Sequence, residues 1–211
     1  MISTEDALQD HAFAQLSTGT TTLALRVKDA IVVATESQAT AGYLVATKKA
    51  QKLFQITDHV AATISGGVAD CQYVVDQARA VARLRAVETG KETPLKYVAN
   101  VVRNILFQGR SFFLSMMLVA GYDTGTSETK IYGVDLLGSL FEENRYLSFG
   151  SGSTYALGVL EANYTDDMSV EDGIDLAKRA VTAAKARDIA SGSKIQLAVI
   201  TAEGFKQIDV E

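Results

Sequence analysis

The sequence predicts an α+β fold in which two antiparallel sheets stack face to face with helices outside. Two observations carry this. Strand-like and helix-like patterns fall in separate blocks, in the order strands, two helices, strands, two helices, strands. Such segregation argues against β-α-β alternation and its parallel sheet. The 211 residues also contain no fixed-period repeat, low-complexity segment or proline-rich linker, so residues 20–211 read as one domain.

The elements follow in order. Thr20–Val27 and Ile31–Thr35 are β-branched, apolar runs around Lys28-Asp29-Ala30, a hairpin signature. Leu53–Ile56 and Val60–Ser65 form a second pair around Thr57-Asp58-His59. After Gly66-Gly67 the period becomes helical from about Ala69 to Val87, with Gly90 as a natural stop. A second helix follows Pro94, whose fixed φ suits a first turn. Strands return at Met116–Tyr122, Lys130–Val134, Ser139–Glu142 and Tyr146–Phe149. Beyond Gly150-Ser151-Gly152-Ser153, helical spacing covers Tyr155–Asn163 and Ser169–Arg187, the second opened by a Ser169/Asp172 capping pattern. Ile195–Thr201 and Phe205–Asp209 close the chain as strands.

Composition narrows the function. Apolar residues make up 47% and charged residues 21%, and the net charge is -5. No basic stripe suits a nucleic acid, so no nucleic-acid partner is expected. No apolar run approaches the roughly 20 residues that span a bilayer, so no membrane role is expected. Met1–Gly19 carries acids and no Lys or Arg, unlike a secretory or mitochondrial presequence. The single cysteine, Cys71, excludes an intrachain disulfide or Cys-rich zinc site and reads as a buried helix residue. A reducing, cytoplasmic compartment fits. Two histidines, His11 and His59, leave little for histidine-based catalysis, and His59 reads as a turn or surface residue.

The junction Gly19-Thr20-Thr21-Thr22 has two readings. One is a threonine-rich strand start. The other is a self-cleavage site, where flexible Gly19 lets the Thr20 hydroxyl attack the Gly19 carbonyl and shed a leader. The cut frees an α-amine with an ordinary pKa of about 7.7–8.0, partly neutral near pH 7. One residue then supplies nucleophile and base, which a threonine hydroxyl needs.

Further motifs follow in order: Ala34-Thr35-Glu36, Thr40, Lys52-Leu53-Phe54, Ile64-Ser65-Gly66-Gly67 with Asp70, and Ala120-Gly121-Tyr122-Asp123. Gly150-Ser151-Gly152-Ser153, Gly158-Val159-Leu160-Glu161, Arg187-Asp188-Ile189-Ala190-Ser191-Gly192 and Leu197-Ala198-Val199-Ile200 complete the set. Across residues 20–211 the chain resembles the proteasome β-type subunits, most nearly the archaeal kind. The resemblance implies a four-layer α-β-β-α sandwich of the N-terminal nucleophile hydrolase type.

It also implies roles. Met1–Gly19 is a propeptide removed by autolysis. Thr20 is the nucleophile, and its freed amine the proton acceptor. Lys52 lies beside it and lowers the amine's pKa by like-charge repulsion; on its own it reads as one of a solvated Lys48, Lys49, Lys52 cluster. Glu36 pairs with Lys52, at a position where many relatives have Asp. The Gly66 N–H faces the developing oxyanion. Ser151, Asp188 and Ser191 support the amine, although alone Ser151 is a turn serine and Asp188 a helix-end charge. The substrate pocket maps to Ala39, Ala50, Ile64 and Val68 with Phe54 nearby, all apolar, which implies cleavage after hydrophobic residues. No metal or cofactor is implied.

As partners the resemblance implies other β subunits in a seven-membered ring, flanking α-subunit rings, an ATPase regulator on the α ring, and unfolded protein substrates. Two alternatives stay open: a non-catalytic ring subunit of the same fold, and a bacterial two-ring threonine peptidase, hinted at by Gly66-Gly67-Val68-Ala69-Asp70.

Overall fold

Alternation of large apolar and small or polar residues sets the strands. A computed structural model describes residues 19–210. The expected leader and His11 lie outside them, except for Gly19. The strands are β1 (Thr22–Val27), β2 (Ala30–Glu36), β3 (Ala39–Ala41), β4 (Leu44–Thr47), β5 (Leu53–Gln55), β6 (Val60–Gly66), β7 (Ser115–Asp123), β8 (Glu128–Val134), β9 (Leu140–Glu143), β10 (Tyr146–Phe149), β11 (Ile195–Thr201) and β12 (Gly204–Ile208). The helices are α1 (Val68–Thr89), α2 (Leu95–Gln108), α3 (Ser153–Asn163) and α4 (Val170–Lys185).

All strand pairs are antiparallel. One five-stranded sheet runs β10-β1-β2-β11-β12 and the other β5-β6-β7-β8-β9. Each draws on distant parts of the chain; β2 and β11, for example, meet with Glu36 opposite Ile195. The short β3–β4 hairpin forms a third, two-stranded sheet.

Period-two alternation splits each central strand between two layers. On β1, Leu23 and Leu25 face α3 and α4, whereas Ala24 faces the opposite sheet. On β6, Ala62 and Ile64 pack against α1 and α2, whereas Ala61 faces inward. Three apolar layers result: between the second sheet and α1/α2, between the two sheets, and between the first sheet and α3/α4. This is the four-layer sandwich the sequence led us to expect. Each fully buried Leu, Ile or Val contributes roughly 1.5–3 kcal/mol.

The stop and start signals act as expected. Gly90 caps α1 in the left-handed region at φ 65°. Ser169 caps α4, its Oγ accepting from the Asp172 N–H at 3.1 Å. Pro94 sits one residue ahead of the first turn, as the cap of α2. Cys71 is fully buried in α1, and burial pushes its thiol up to about 11, so it is chemically quiet.

His59 closes the β5–β6 turn and ties three connections together. Its Nδ1 lies 2.5 Å from Glu92 Oε2 and its Nε2 lies 2.9 Å from the Ala202 carbonyl. Burial disfavours the charged ring, but the hydrogen bonds to Glu92 and Ala202 and the nearby Glu92 and Asp58 charges outweigh it, so the pKa is raised. Two acceptors on one ring demand two N–H donors, which only the imidazolium has. A raised folded pKa gives stability that is complete below the unfolded value of about 6.5 and lost as pH rises through the folded value. His59→Gln is therefore expected to lower the melting temperature more at pH ~5.5 than at pH ~8.5. Equal losses at both pH values would refute this.

Candidate active site

The site lies where the ends of four strands converge. Gly19 and Thr20 precede β1, Glu36 ends β2, Lys52 precedes β5, and Ser151 follows β10. Asp188 and Ser191 lie in the bend between α4 and β11. The structure brings all of them around the Gly19–Thr20 bond.

Thr20 Oγ1 donates to the Gly19 carbonyl oxygen at 2.7 Å and accepts from Lys52 Nζ at 2.9 Å. Lys52 Nζ also approaches Gly19 O at 3.4 Å and pairs with Glu36 Oε1 at 2.5 Å. Thr20 and Lys52 are each 2% exposed and Glu36 is 0% exposed, which makes this a buried ion pair with a hydroxyl attached. Burial pulls the Lys52 pKa below the ordinary lysine value, and the Glu36 charge and hydrogen bond offset only part of that. Glu36 is held in turn by backbone N–H groups: Thr21 at 3.4 Å on Oε1, and Gln38 at 2.6 Å and Gly192 at 3.1 Å on Oε2.

A second chain of hydrogen bonds leads away from the Thr20 nitrogen. Thr20 N–H donates to Ser151 Oγ at 3.3 Å, and Ser151 Oγ donates to Asp188 Oδ2 at 2.6 Å. Ser191 Oγ donates to the same oxygen at 2.6 Å and meets Thr21 Oγ1 at 2.6 Å. An amine freed at Thr20 would keep Ser151 and Asp188 as neighbours.

Gly66 ends β6 at φ 127°, where a Cβ would come within 2.0 Å of the Leu114 carbonyl. That conformation excludes L side chains. Gly150, at φ 97°, is equally constrained: a Cβ there would fall 2.0 Å from Thr20 O and 3.0 Å from Ser65 Oγ. Gly150 thus lies beside both Thr20 and Ser65, the residue before Gly66.

The proposed pocket residues divide. Phe54 and Ile64 are buried in the core against α1, Ala50 is 9% exposed, and Ala39 and Val68 are half-buried.

Several contributors escaped the sequence reading. Thr21 was seen only as a motif member, yet it binds both Glu36 and Ser191. Gly152 N–H donates to Thr20 O at 3.3 Å. Gln38 secures Glu36 with its backbone and the Ile189 carbonyl with its side chain. Nothing in the local sequence marks Gln38.

Among the described residues, no group of three or more His, Cys, Asp or Glu is placed to hold a metal ion. No described helix is long and apolar enough to cross a membrane.

Comparison with known proteins identifies the family. A model of the proteasome subunit family matches residues 16–200. The chain is 44% identical over 194 residues to proteasome subunit beta of Methanocaldococcus vulcanius, covering 92% of this chain and 86% of that one. Identity and coverage are the same for proteasome subunit beta of Methanocaldococcus jannaschii, at 44%, 92% and 86%. Proteasome subunit beta 2 of Pyrobaculum islandicum is 43% identical over 190 residues, or 90% of this chain and 94% of that one.

Proposed function

The chain belongs to the proteasome subunit family as a β-type subunit, and on that premise we propose that it is catalytic, a threonine-type endopeptidase with Thr20 as nucleophile. One observation carries the proposal: a buried lysine contacts the Thr20 hydroxyl, which itself bonds the carbonyl of the peptide to be cut. A merely structural subunit has no need to bury a lysine there, since burying charge is costly.

In the first reaction Thr20 Oγ1 attacks the Gly19 carbonyl carbon. The C–N bond breaks, the nitrogen takes up the proton, and the resulting ester is hydrolysed by water. Residues 1–19 leave as a carboxylate-ended leader, and Thr20 becomes the first residue of a mature domain, residues 20–211. In the second reaction the same oxygen attacks a substrate peptide carbonyl, with the Thr20 amine taking the proton. Lys52 keeps that amine's pKa low by like-charge repulsion. The Gly66 N–H stabilises the oxyanion, a contribution of about 2.7–4 kcal/mol for one donor in a well-studied case. Ser151, Asp188 and Ser191 orient the amine.

The working form is a β ring stacked on α-subunit rings, fed with unfolded protein by an ATPase regulator. Enclosure keeps the nucleophile from folded proteins, and the attached leader blocks it beforehand. Intact mass of the assembled particle tests the proposal: wild type should begin at Thr20, and Thr20→Ala should keep its leader.

Ala39, Ala50 and Val68, apolar and outside the core cluster that holds Phe54 and Ile64, support cleavage after hydrophobic residues. Ala50 is the better place to probe this, because a charge at Ile64 would be buried against α1. Ala50→Glu is expected to raise cleavage after Arg relative to Leu by about tenfold, or ~1.4 kcal/mol. A cleavage profile on a peptide library that matches wild type would remove Ala50 from the pocket.

A further inference from the structure

We propose that Gln196 is the positioning residue for Lys52, holding its backbone so that the ammonium reaches Thr20 and Glu36 together. The inference rests on the proposed role of Lys52.

Gln196 lies on β11, opposite Thr35 of β2, and its neighbour Ile195 lies opposite Glu36. Ala198 and Ile200, two and four residues on, belong to the layer between the sheets, so Gln196 points across to the second sheet. There it makes three hydrogen bonds to one short segment. Its Oε1 accepts from the backbone N–H of Lys52 at 2.9 Å and of Leu53 at 3.1 Å. Its Nε2 donates to the Ala50 carbonyl at 2.7 Å.

Most of that segment precedes β5 and has no strand ladder to hold it. The Lys52 carbonyl accepts from Ile64 N–H at 3.1 Å, which fixes it to the second sheet. At the start of the segment Ala50 N–H donates to the Ser37 carbonyl at 2.9 Å. Gln196 is the anchor on the Lys52 and Leu53 amides themselves, and it comes from the sheet that carries Glu36. The lysine has four rotatable bonds and pays side-chain entropy to adopt one pose. A fixed backbone origin leaves Nζ fewer places to go. The amide is also the right group: one side chain must accept twice and donate once, which glutamine does and glutamate or methionine does not.

The test uses Gln196→Met and Gln196→Glu, both close to glutamine in length, in the assembled particle. Three quantities are read: the first-order rate of leader loss by intact mass, kcat and KM on a fluorogenic peptide, and the pH dependence of kcat. Gln196→Met should lower leader loss and kcat together by about 10–100-fold, the scale for a misplaced reacting group. KM should change little, and the high-pH limb should move to lower pH as Lys52 loosens from Glu36. Gln196→Glu keeps an acceptor for both amides and should lie between Gln196→Met and wild type. It remains the decisive variant if Gln196→Met fails to assemble. Wild-type kcat and pH profile in either variant would overturn the proposal. So would a rise in KM alone, which would assign Gln196 to the pocket wall at Ala50. Lys52→Met serves as the reference. If it turns over normally, the underlying reading of Lys52 fails. If it is inactive while Gln196→Met is normal, only the Gln196 proposal fails.

Discussion

Thr20→Ala is expected to leave residues 1–19 attached in the assembled particle and to reduce peptide hydrolysis on the order of 10⁶-fold, the scale seen when a nucleophile that works as a unit with its base is removed. The same oxygen serves both reactions, so both must stop. That oxygen now bonds Gly19 O at 2.7 Å and Lys52 Nζ at 2.9 Å. Alanine removes the hydroxyl and a methyl from a residue 2% exposed, which costs about 1 kcal/mol and leaves the fold intact. Lys52 keeps its 2.5 Å contact to Glu36, so no charge is orphaned. Thr20→Ser separates chemistry from packing: it retains an attacking oxygen and should still shed the leader, only more slowly. A Thr20→Ala particle that begins at residue 20, or that hydrolyses peptides at the wild-type rate, would end the threonine-peptidase reading.

The fold was legible where a local pattern reports a local fact. Tyr146–Phe149 and Ile195–Thr201 were read to the residue because β-branched or aromatic alternation there ends abruptly. The β3–β4 hairpin was missed. Its strands are three and four residues long, and all of β4 is exposed, so no buried face leaves a pattern. Block order suggested two sheets but not their membership. Pairings such as Glu36 with Ile195 depend on contacts between remote segments, which periodicity does not encode.

The site shows the same limit more sharply. Taken singly, its residues look ordinary. Lys48 and Lys49 are exposed, as a solvated cluster should be, whereas Lys52 in the same cluster is 2% exposed. No property of that segment alone separates the three. The family motif did separate them, because it records which positions meet in three dimensions. Gln196 carried no motif, and its role emerges only from the crossing of two sheets.

Lys52→Met is expected to abolish turnover and also to destabilise the protein, and the two losses should separate in a double variant. Removing one partner of a buried pair costs about 3–5 kcal/mol because the other charge is left uncompensated. The Glu36 carboxylate would keep its backbone donors from Thr21, Gln38 and Gly192, which holds the loss toward the low end of that range. Adding Glu36→Gln removes the stranded charge. The glutamine carbonyl can still accept from Gln38 and Gly192 at the Oε2 position, and only the long 3.4 Å contact to Thr21 is sacrificed. Lys52→Met with Glu36→Gln should therefore recover most of the stability in urea unfolding, since a neutral, well-packed replacement of a buried ion pair is often tolerated. It should recover none of the activity, because no ammonium remains to lower the pKa of the Thr20 amine. A double variant that regains hydrolysis would show that Lys52 serves the fold alone. A Lys52→Met variant as stable as wild type would show instead that Glu36 never depended on the lysine charge.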